Sequence, residues 1–283
     1  MKAEDVLMSI VTCTTHDQLF LFTNQGRVFN MKAFEIPEAS RIAKGTAIVN
    51  LLNLKADEKV LSIVIVDEER DRDKYITLAT KKGLVKKTAV KLYDNIRQSG
   101  IVAITLNEGD ELVWGKVTTG KDNIMLITHD GKSIRFSETE VKSSQRDTKG
   151  VKGITLKPGD YVIGVEVFRD DPNVFKENSL MIITENGMGK RTLLEHYPLQ
   201  KRSGLGVKVS EITKRTGRVA AAKLISDRHD EIVISTKSGK AIKMPISKKS
   251  IPTLTRPTQG VILMKLEDHD QIAAVALTVE END

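Results

Sequence analysis

A chain of 283 residues, 40% of them hydrophobic and 29% charged, is large enough to bury a real core, and it holds no apolar stretch near the ~18 residues that a membrane helix needs. Its 44 basic residues nearly balance 38 acidic ones and leave a net charge of +6, too modest to imply a polyanionic partner unless the charges fall in a pattern. The single cysteine, Cys13, excludes an internal disulfide and fits a reducing cytoplasm; in the apolar run VLMSIVTC it reads as a small hydrophobe, not a nucleophile.

The N-terminal MKAEDVLMSIV carries acidic residues where a secretory signal would be basic, and is expected to be a mature start. Asp5–Thr12 within it reads as one orphan strand, matching only the last strand of the units that follow. From residue 17 a pattern recurs five times with a period of roughly 50 residues, over 17–66, 74–119, 122–168, 178–225 and 230–279. In the first unit the apolar run LFLFT ends in Thr23-Asn-Gln-Gly26 and a second run, RVFNM, follows. The equivalents downstream are Thr80-Lys-Lys-Gly83, Thr128-His-Asp-Gly131, Thr184-Glu-Asn-Gly187 and Thr236-Lys-Ser-Gly239. Two strand-like runs joined through such a segment predict a hairpin whose glycine supplies a positive φ.

A third strand is expected after a second glycine in each unit: TAIVNL (46–51), IVAITL (101–106), VKGITL (151–156), VKV (207–209) and VILMKL (261–266). The fourth runs are VLSIVIV, LVWGKV, VIGVEV, VAAAKLI and IAAVALTV, several of them apolar without alternation, as strands covered on both faces are. No helical periodicity is sustained. The expectation is therefore an all-β, propeller-like single domain of five full four-stranded repeats plus the orphan strand of a sixth.

A second repeat is basic. Arginine stands shortly before the second glycine of every unit, as Arg41, Arg97, Arg146, Arg202 and Arg256. The position four after the hairpin glycine is Asn30, Lys87, Arg135, Arg191 or Lys243, and Lys44, Lys86, Lys149, Lys190, Lys201, Lys248 and Lys249 stand close by. Any one of these lysines is explained by the habit of guarding strand edges with charge. An arginine that returns in register five times is better explained by a polyanion, with the neighbouring glycine offering backbone N–H donors to phosphate. Few aromatics interleave with the cations, which favours duplex DNA over a single strand stacked on rings.

Catalytic readings find little support. His16-Asp17, His129-Asp130, His229-Asp230 and His269-Asp270 sit at expected turns and strand starts, and His196 stands apart; no metal-ligand spacing emerges. The acidic run Asp67–Asp73 reads as a solvated loop, and Gly187-Met-Gly-Lys190 as a hairpin turn, not a phosphate cradle.

The stretches 15–52, 83–90, 150–160, 186–198 and 258–268, above all EIPEASR…KG…IVNLL in the first unit, resemble the C-terminal domain of the bacterial DNA gyrase A protein. The resemblance implies a β-pinwheel, a six-bladed disc or shallow spiral whose blades exchange strands, with Asp5–Thr12 completing the blade of the first full unit. It also implies a module that binds duplex DNA around a basic perimeter and wraps it. The partners it implies are the gyrase B protein, together with the N-terminal part of gyrase A. It implies no enzyme activity in this part alone, no cofactor and a cytoplasmic setting. A QRRGGKG-type box that such domains carry is absent from the sequence; its nearest relics are Gln145–Gly150 and Lys201–Gly206, so DNA binding is expected to survive and full wrapping to be impaired. A topoisomerase IV domain and a propeller that binds protein partners are the alternatives. The latter is disfavoured because no unit ends in Trp-Asp and the one tryptophan, Trp114, lies inside a strand.

Overall fold

The structure, a computed structural model, describes residues 11–40, 45–226 and 229–278. The expected Asp5–Thr12 strand lies outside them except for Val11 and Thr12, which carry no strand.

Every Thr-x-x-Gly segment is a hairpin turn. The glycine N–H donates to the threonine carbonyl at 3.0–3.1 Å in all five, and the glycines hold φ between 77° and 84°, which costs a residue without a Cβ nothing. The threonine is buried, and in three repeats its Oγ1 accepts the next strand's first N–H: Arg27 at 3.3 Å, Leu84 at 3.1 Å and Lys132 at 3.2 Å.

In chain order the strands are β1 (Gln18–Thr23), β2 (Arg27–Lys32) and β3 (Val60–Val66) in the first repeat, then β4 (Tyr75–Thr80), β5 (Leu84–Ala89), β6 (Ile101–Val102) and β7 (Leu112–Thr118). The third repeat holds β8 (Asn123–Thr128), β9 (Lys132–Ser137), β10 (Val151–Lys152) and β11 (Val162–Phe168), and a short helix α1 (Pro172–Glu177) follows. The fourth holds β12 (Ser179–Thr184), β13 (Met188–Leu193), β14 (Val207–Lys208) and β15 (Val219–Ile225). The fifth holds β16 (Glu231–Thr236), β17 (Ala241–Pro245), β18 (Val261–Ile262) and β19 (Ile272–Thr278).

The third strands correct the sequence expectation in their length and bear out the strand exchange that the resemblance implied. They are two residues long, and each pairs with the repeat before its own: the sheets read β3-β1-β2-β6, β10-β5-β4-β7, β11-β8-β9-β14 and β15-β12-β13-β18. The first repeat's sheet thus receives β6 of the second repeat as its fourth strand, the part expected of Asp5–Thr12. The fifth sheet, β17-β16-β19, has three strands among the described residues. In the first repeat the expected TAIVNL strand is instead a 3-10 turn over Ile48–Asn50.

The strands stop early because the chain dives under a neighbouring hairpin. After Ile101 and Val102 pair with Val28 and Arg27, the N–H groups of Ala103 and Ile104 both reach the Gly26 carbonyl, at 2.8 and 3.1 Å, and both residues are fully buried. Gly153, Val209 and Leu263 repeat the contact with Gly83, Gly131 and Gly187 at 2.8–2.9 Å. A Cβ on Gly26 would lie 2.5 Å from the Ile104 carbonyl oxygen, so this glycine is required by its neighbour as well as by its own turn.

The chain forms two compact units. Val11–Asp122 with Ser137–Gly153 holds the first two sheets, and Asn123–Phe136 with Ile154–Asp283 holds the other three. Within the first, alternate residues of β1 enter different clusters: Phe20 and Phe22 pack with Ile76, Leu78 and Leu112, while Leu19 and Leu21 pack with Phe29, Met31 and Leu52. Within the second, β12 divides likewise, Leu180 and Ile182 facing Met125 and Ile127, Met181 and Ile183 facing Ile232 and Ile234. Two buried faces account for strands that do not alternate.

Candidate nucleic-acid interface

Each donated strand arrives through a corner, the loop that carries the arginine. The corners are held by bonds from backbone N–H groups and from threonine and serine hydroxyls to corner carbonyls. Thr105 N–H and Oγ1 donate to the carbonyls of Thr148 and Asp147 at 3.1 and 2.6 Å. Thr155 N–H and Oγ1 donate to Gly204 and Ser203 at 2.9 and 2.7 Å, and Ser210 Oγ donates to Thr258 at 3.2 Å. One donated segment therefore grips the next corner.

The arginines take part in this clamp. Arg146 Nη1 donates to the Val102 carbonyl at 3.1 Å and Arg256 Nη1 to the Lys208 carbonyl at 2.9 Å, each on the second residue of a donated strand. Both side chains are half-buried. Arg202, also half-buried, donates from Nη1 to Ser203 Oγ at 3.3 Å. Arg97 is exposed at its corner, and Arg41 and Lys44 lie outside the described residues.

From sequence, the basic residues of the second strands belong to the same surface as these arginines. The structure turns most of them inward. Lys86 and Lys190 are only 2% and 1% exposed. Lys86 Nζ donates to the Ala103 carbonyl at 2.8 Å and to that of Arg146; Lys190 Nζ donates to Thr255 O at 2.7 Å, Thr258 Oγ1 at 3.1 Å and the Arg256 carbonyl. Burial pulls both ammonium groups down from the ordinary lysine range to about 8.

The next position is covered for a different reason. Isolated parallel bridges join Lys87 to Ser143, Arg135 to Leu199 and Arg191 to Thr253, so the chain leaving each hairpin folds back over it. Lys87 Nζ bonds the Glu138 carbonyl at 3.1 Å and stands 5.0 Å from the Tyr75 ring centre. The Arg135 guanidinium lies 4.5 Å over Phe175, and Arg191 Nε donates to Ile251 O at 3.0 Å. Burial lowers the pKa of all three. In the fifth repeat the same position, Lys243, is exposed and pairs with Glu231.

The predicted cations left facing solvent are Arg97, Lys149, Lys201 and Lys243, with Lys248 and Lys249 beyond them. Two more were missed from sequence: Lys152 and Lys208, both exposed, end the donated strands β10 and β14. The dipeptide Val-Lys after Gly150 and Gly206 was the available signal, obscured because these runs read as buried strand.

The family model for the DNA gyrase C-terminal domain, beta-propeller, matches residues 17–67, 74–119, 122–169, 178–226 and 230–278. The A chain of DNA gyrase from Staphylococcus epidermidis is 37% identical over 280 residues, which is 99% of this chain and 31% of that protein. The chain thus spans about a third of the length of the curated relatives it matches. Among solved structures, the C-terminal domain of DNA topoisomerase IV is 27% identical, with a TM-score of 0.81 over 94% of this chain and 80% of its own. The DNA gyrase A C-terminal domain is 26% identical, with a TM-score of 0.77 over 94% of this chain and 84% of its own. With strand-exchanged sheets, five hairpin repeats and a family model that matches all five, the chain belongs to the DNA gyrase C-terminal domain family of beta-propellers.

Proposed function

We propose that the five repeats act as one domain that binds and wraps duplex DNA for a type II topoisomerase, in cooperation with gyrase B and the rest of a gyrase A protein. The chain has no catalytic role of its own in this reading, and it works in the cytoplasm on the nucleoid. No described helix is long and apolar enough to cross a membrane.

The observation that carries the reading is the corner. Arg97, Lys149 and Lys201 are exposed at the corners of successive repeats, three, one and five residues before the corner glycine, and the Lys149 and Lys201 corners are clamped by Thr105 and Thr155. A clamped corner presents its cation from a set backbone position, and contacts to phosphate carry affinity without base sequence. Lys86, Lys87, Lys190, Arg135 and Arg191 then serve as the frame behind the interface, while Arg146, Arg202 and Arg256 serve both as clamp and as contact. A topoisomerase IV parent would use the same surface.

The test is duplex affinity against salt, with fragments of about 20 and 150 base pairs, each neutralised phosphate contributing about −0.9 to the slope of log K on log salt. A slope of several units, steeper on the longer duplex, supports wrapping by corners acting together. A shallow slope equal for both lengths removes it and moves the assignment to protein partners.

A further inference from the structure

The corner of the fourth repeat has an apolar tip. Its last residue before the glycine is Leu205, 64% exposed, where the other described corners carry Ser99, Lys149 or Gln259. Leu199, at the bridge opposite Arg135, is 54% exposed where its equivalents are Ser143 and Thr253. An exposed leucine in the middle of a basic loop, Lys201-Arg202-Ser203-Gly204-Leu205-Gly206, is not explained by packing among the described residues.

The loop is also stiff. Gln200 N–H is tied to the Arg135 carbonyl at 2.7 Å, and the Ser203 and Gly204 carbonyls are tied to Thr155. Ser203 holds φ at 70° and Gly206 at 68°, and a Cβ on Gly206 would fall 2.3 Å from the Ser133 carbonyl oxygen. A left-handed serine is a strained choice that tertiary bonds must maintain, and here they fix the leucine at the tip of the corner. Arg202, bonded to Ser203 Oγ, keeps its charge on the shoulder of the same loop.

We propose that Leu205 is a wedge: with Lys201 and Arg202 seated on flanking phosphates, its side chain enters a base-pair step of the bound duplex and kinks it, making one fixed bend in DNA that the other corners hold only by phosphate. An apolar side chain presented rigidly between cations matches the way architectural proteins unstack a step in exchange for a bent duplex that covers more protein. This rests on the DNA-binding reading above. The ligand is duplex DNA with a flexible pyrimidine–purine step, the kind that kinks most easily.

The experiment is permanganate reactivity of thymines across a 5′-labelled fragment of about 150 base pairs, bound to the full chain, to Leu205→Gln, to Leu205→Met and to Arg97→Ala/Lys149→Ala. The expected result is one hyper-reactive step per bound chain, weakened about fivefold or more in Leu205→Gln, restored in Leu205→Met, and present at saturation in the double variant, whose affinity falls instead. Leu205→Gln should keep the salt slope of the parent chain, since it keeps the phosphate contacts. Failure of every protein to bind overturns the DNA reading itself. Tight binding with reactivity indifferent to Leu205 overturns only the wedge, as does a parent chain that self-associates and becomes monomeric as Leu205→Gln.

Discussion

Lys190 Nζ lies 2.7 Å from the carbonyl oxygen of Thr255, so a buried lysine of the fourth repeat holds the arginine corner of the fifth. Lys86 does the same for the corner of the third repeat through the Arg146 carbonyl. Lys190→Met should cost about 1–3 kcal/mol, because the Arg256 carbonyl loses its donor and the Thr255 carbonyl keeps only Thr258 Oγ1, at 2.9 Å. Urea melts check the loss. Amide exchange over 253–260 should accelerate well before global unfolding; protection unchanged there would count against the clamp.

The two buried lysines also set a pH dependence. Their pKa drops from 10.5 to about 8 on folding. Between those values the unfolded chain binds more protons than the folded one, so stability rises with pH through that window, by up to about 1.4 kcal/mol per pH unit for each lysine. Below pH 8 both states are protonated and the cost of burying the charge is fully present. Urea melts at intervals from pH 7.5 to 10.5 (the range set by this linkage) should show the rise in the parent chain. They should show about half of it in Lys190→Met.

Turn glycines at positive φ should rank by what approaches them. Gly187→Ala places a methyl 2.2 Å from the Met264 carbonyl oxygen and should cost about 3 kcal/mol or more, since backbone must move as well as adopt a left-handed conformation. Gly159 has φ of 81° with nothing within 4 Å, so Gly159→Ala should cost only about 1–2 kcal/mol, the strain of that conformation. Equal losses for the two would show that the donated strand does not press on the turn.

Glu138 is a buried carboxylate that accepts from Thr118 Oγ1 at 2.5 Å, Thr77 Oγ1 at 3.2 Å, Gly120 N–H at 2.9 Å and Asp122 N–H at 3.2 Å. Glu138→Ala strands the Gly120 and Asp122 N–H groups and one hydroxyl of the Thr77–Thr118 pair, whose oxygens lie 2.8 Å apart, and leaves the Lys87 ammonium, 4.0 Å away, without its counter-charge. A loss of about 3–5 kcal/mol is expected by thermal or urea unfolding, with Glu138→Gln intermediate because it keeps one acceptor oxygen.

Exposed corner cations should behave in the opposite way. Arg97→Ala/Lys149→Ala/Lys201→Ala should leave unfolding free energy within about 0.5 kcal/mol per site and flatten the salt slope of duplex binding by about 0.9 for each phosphate contact removed. Fluorescence anisotropy over a salt series reads the slope, and a triple variant with the parent slope would clear these residues from the interface.

The five hairpins were legible in the sequence because what makes them is local: a threonine carbonyl that accepts the glycine N–H, a glycine at positive φ and apolar runs on either side. The basic register was legible as well, since a repeat exposes a pattern that no single lysine could. The length and ownership of the third strands were not. IVAITL reads as six strand residues, yet Ala103 and Ile104 turn under Gly26 of the previous repeat, and nothing within those six residues records where that carbonyl will be.

The orientation of the cations was beyond reach for the same reason. Lys190 and Lys201 have the same charge and lie close in sequence, but one is 1% exposed against three acceptors and the other faces solvent. By itself the sequence determined the repeat, the turns and the all-β character, which depend on backbone chemistry over a few residues. Only the tertiary structure decided which repeat completes which sheet and which cations remain outside, because both depend on where a distant segment brings its carbonyl oxygens.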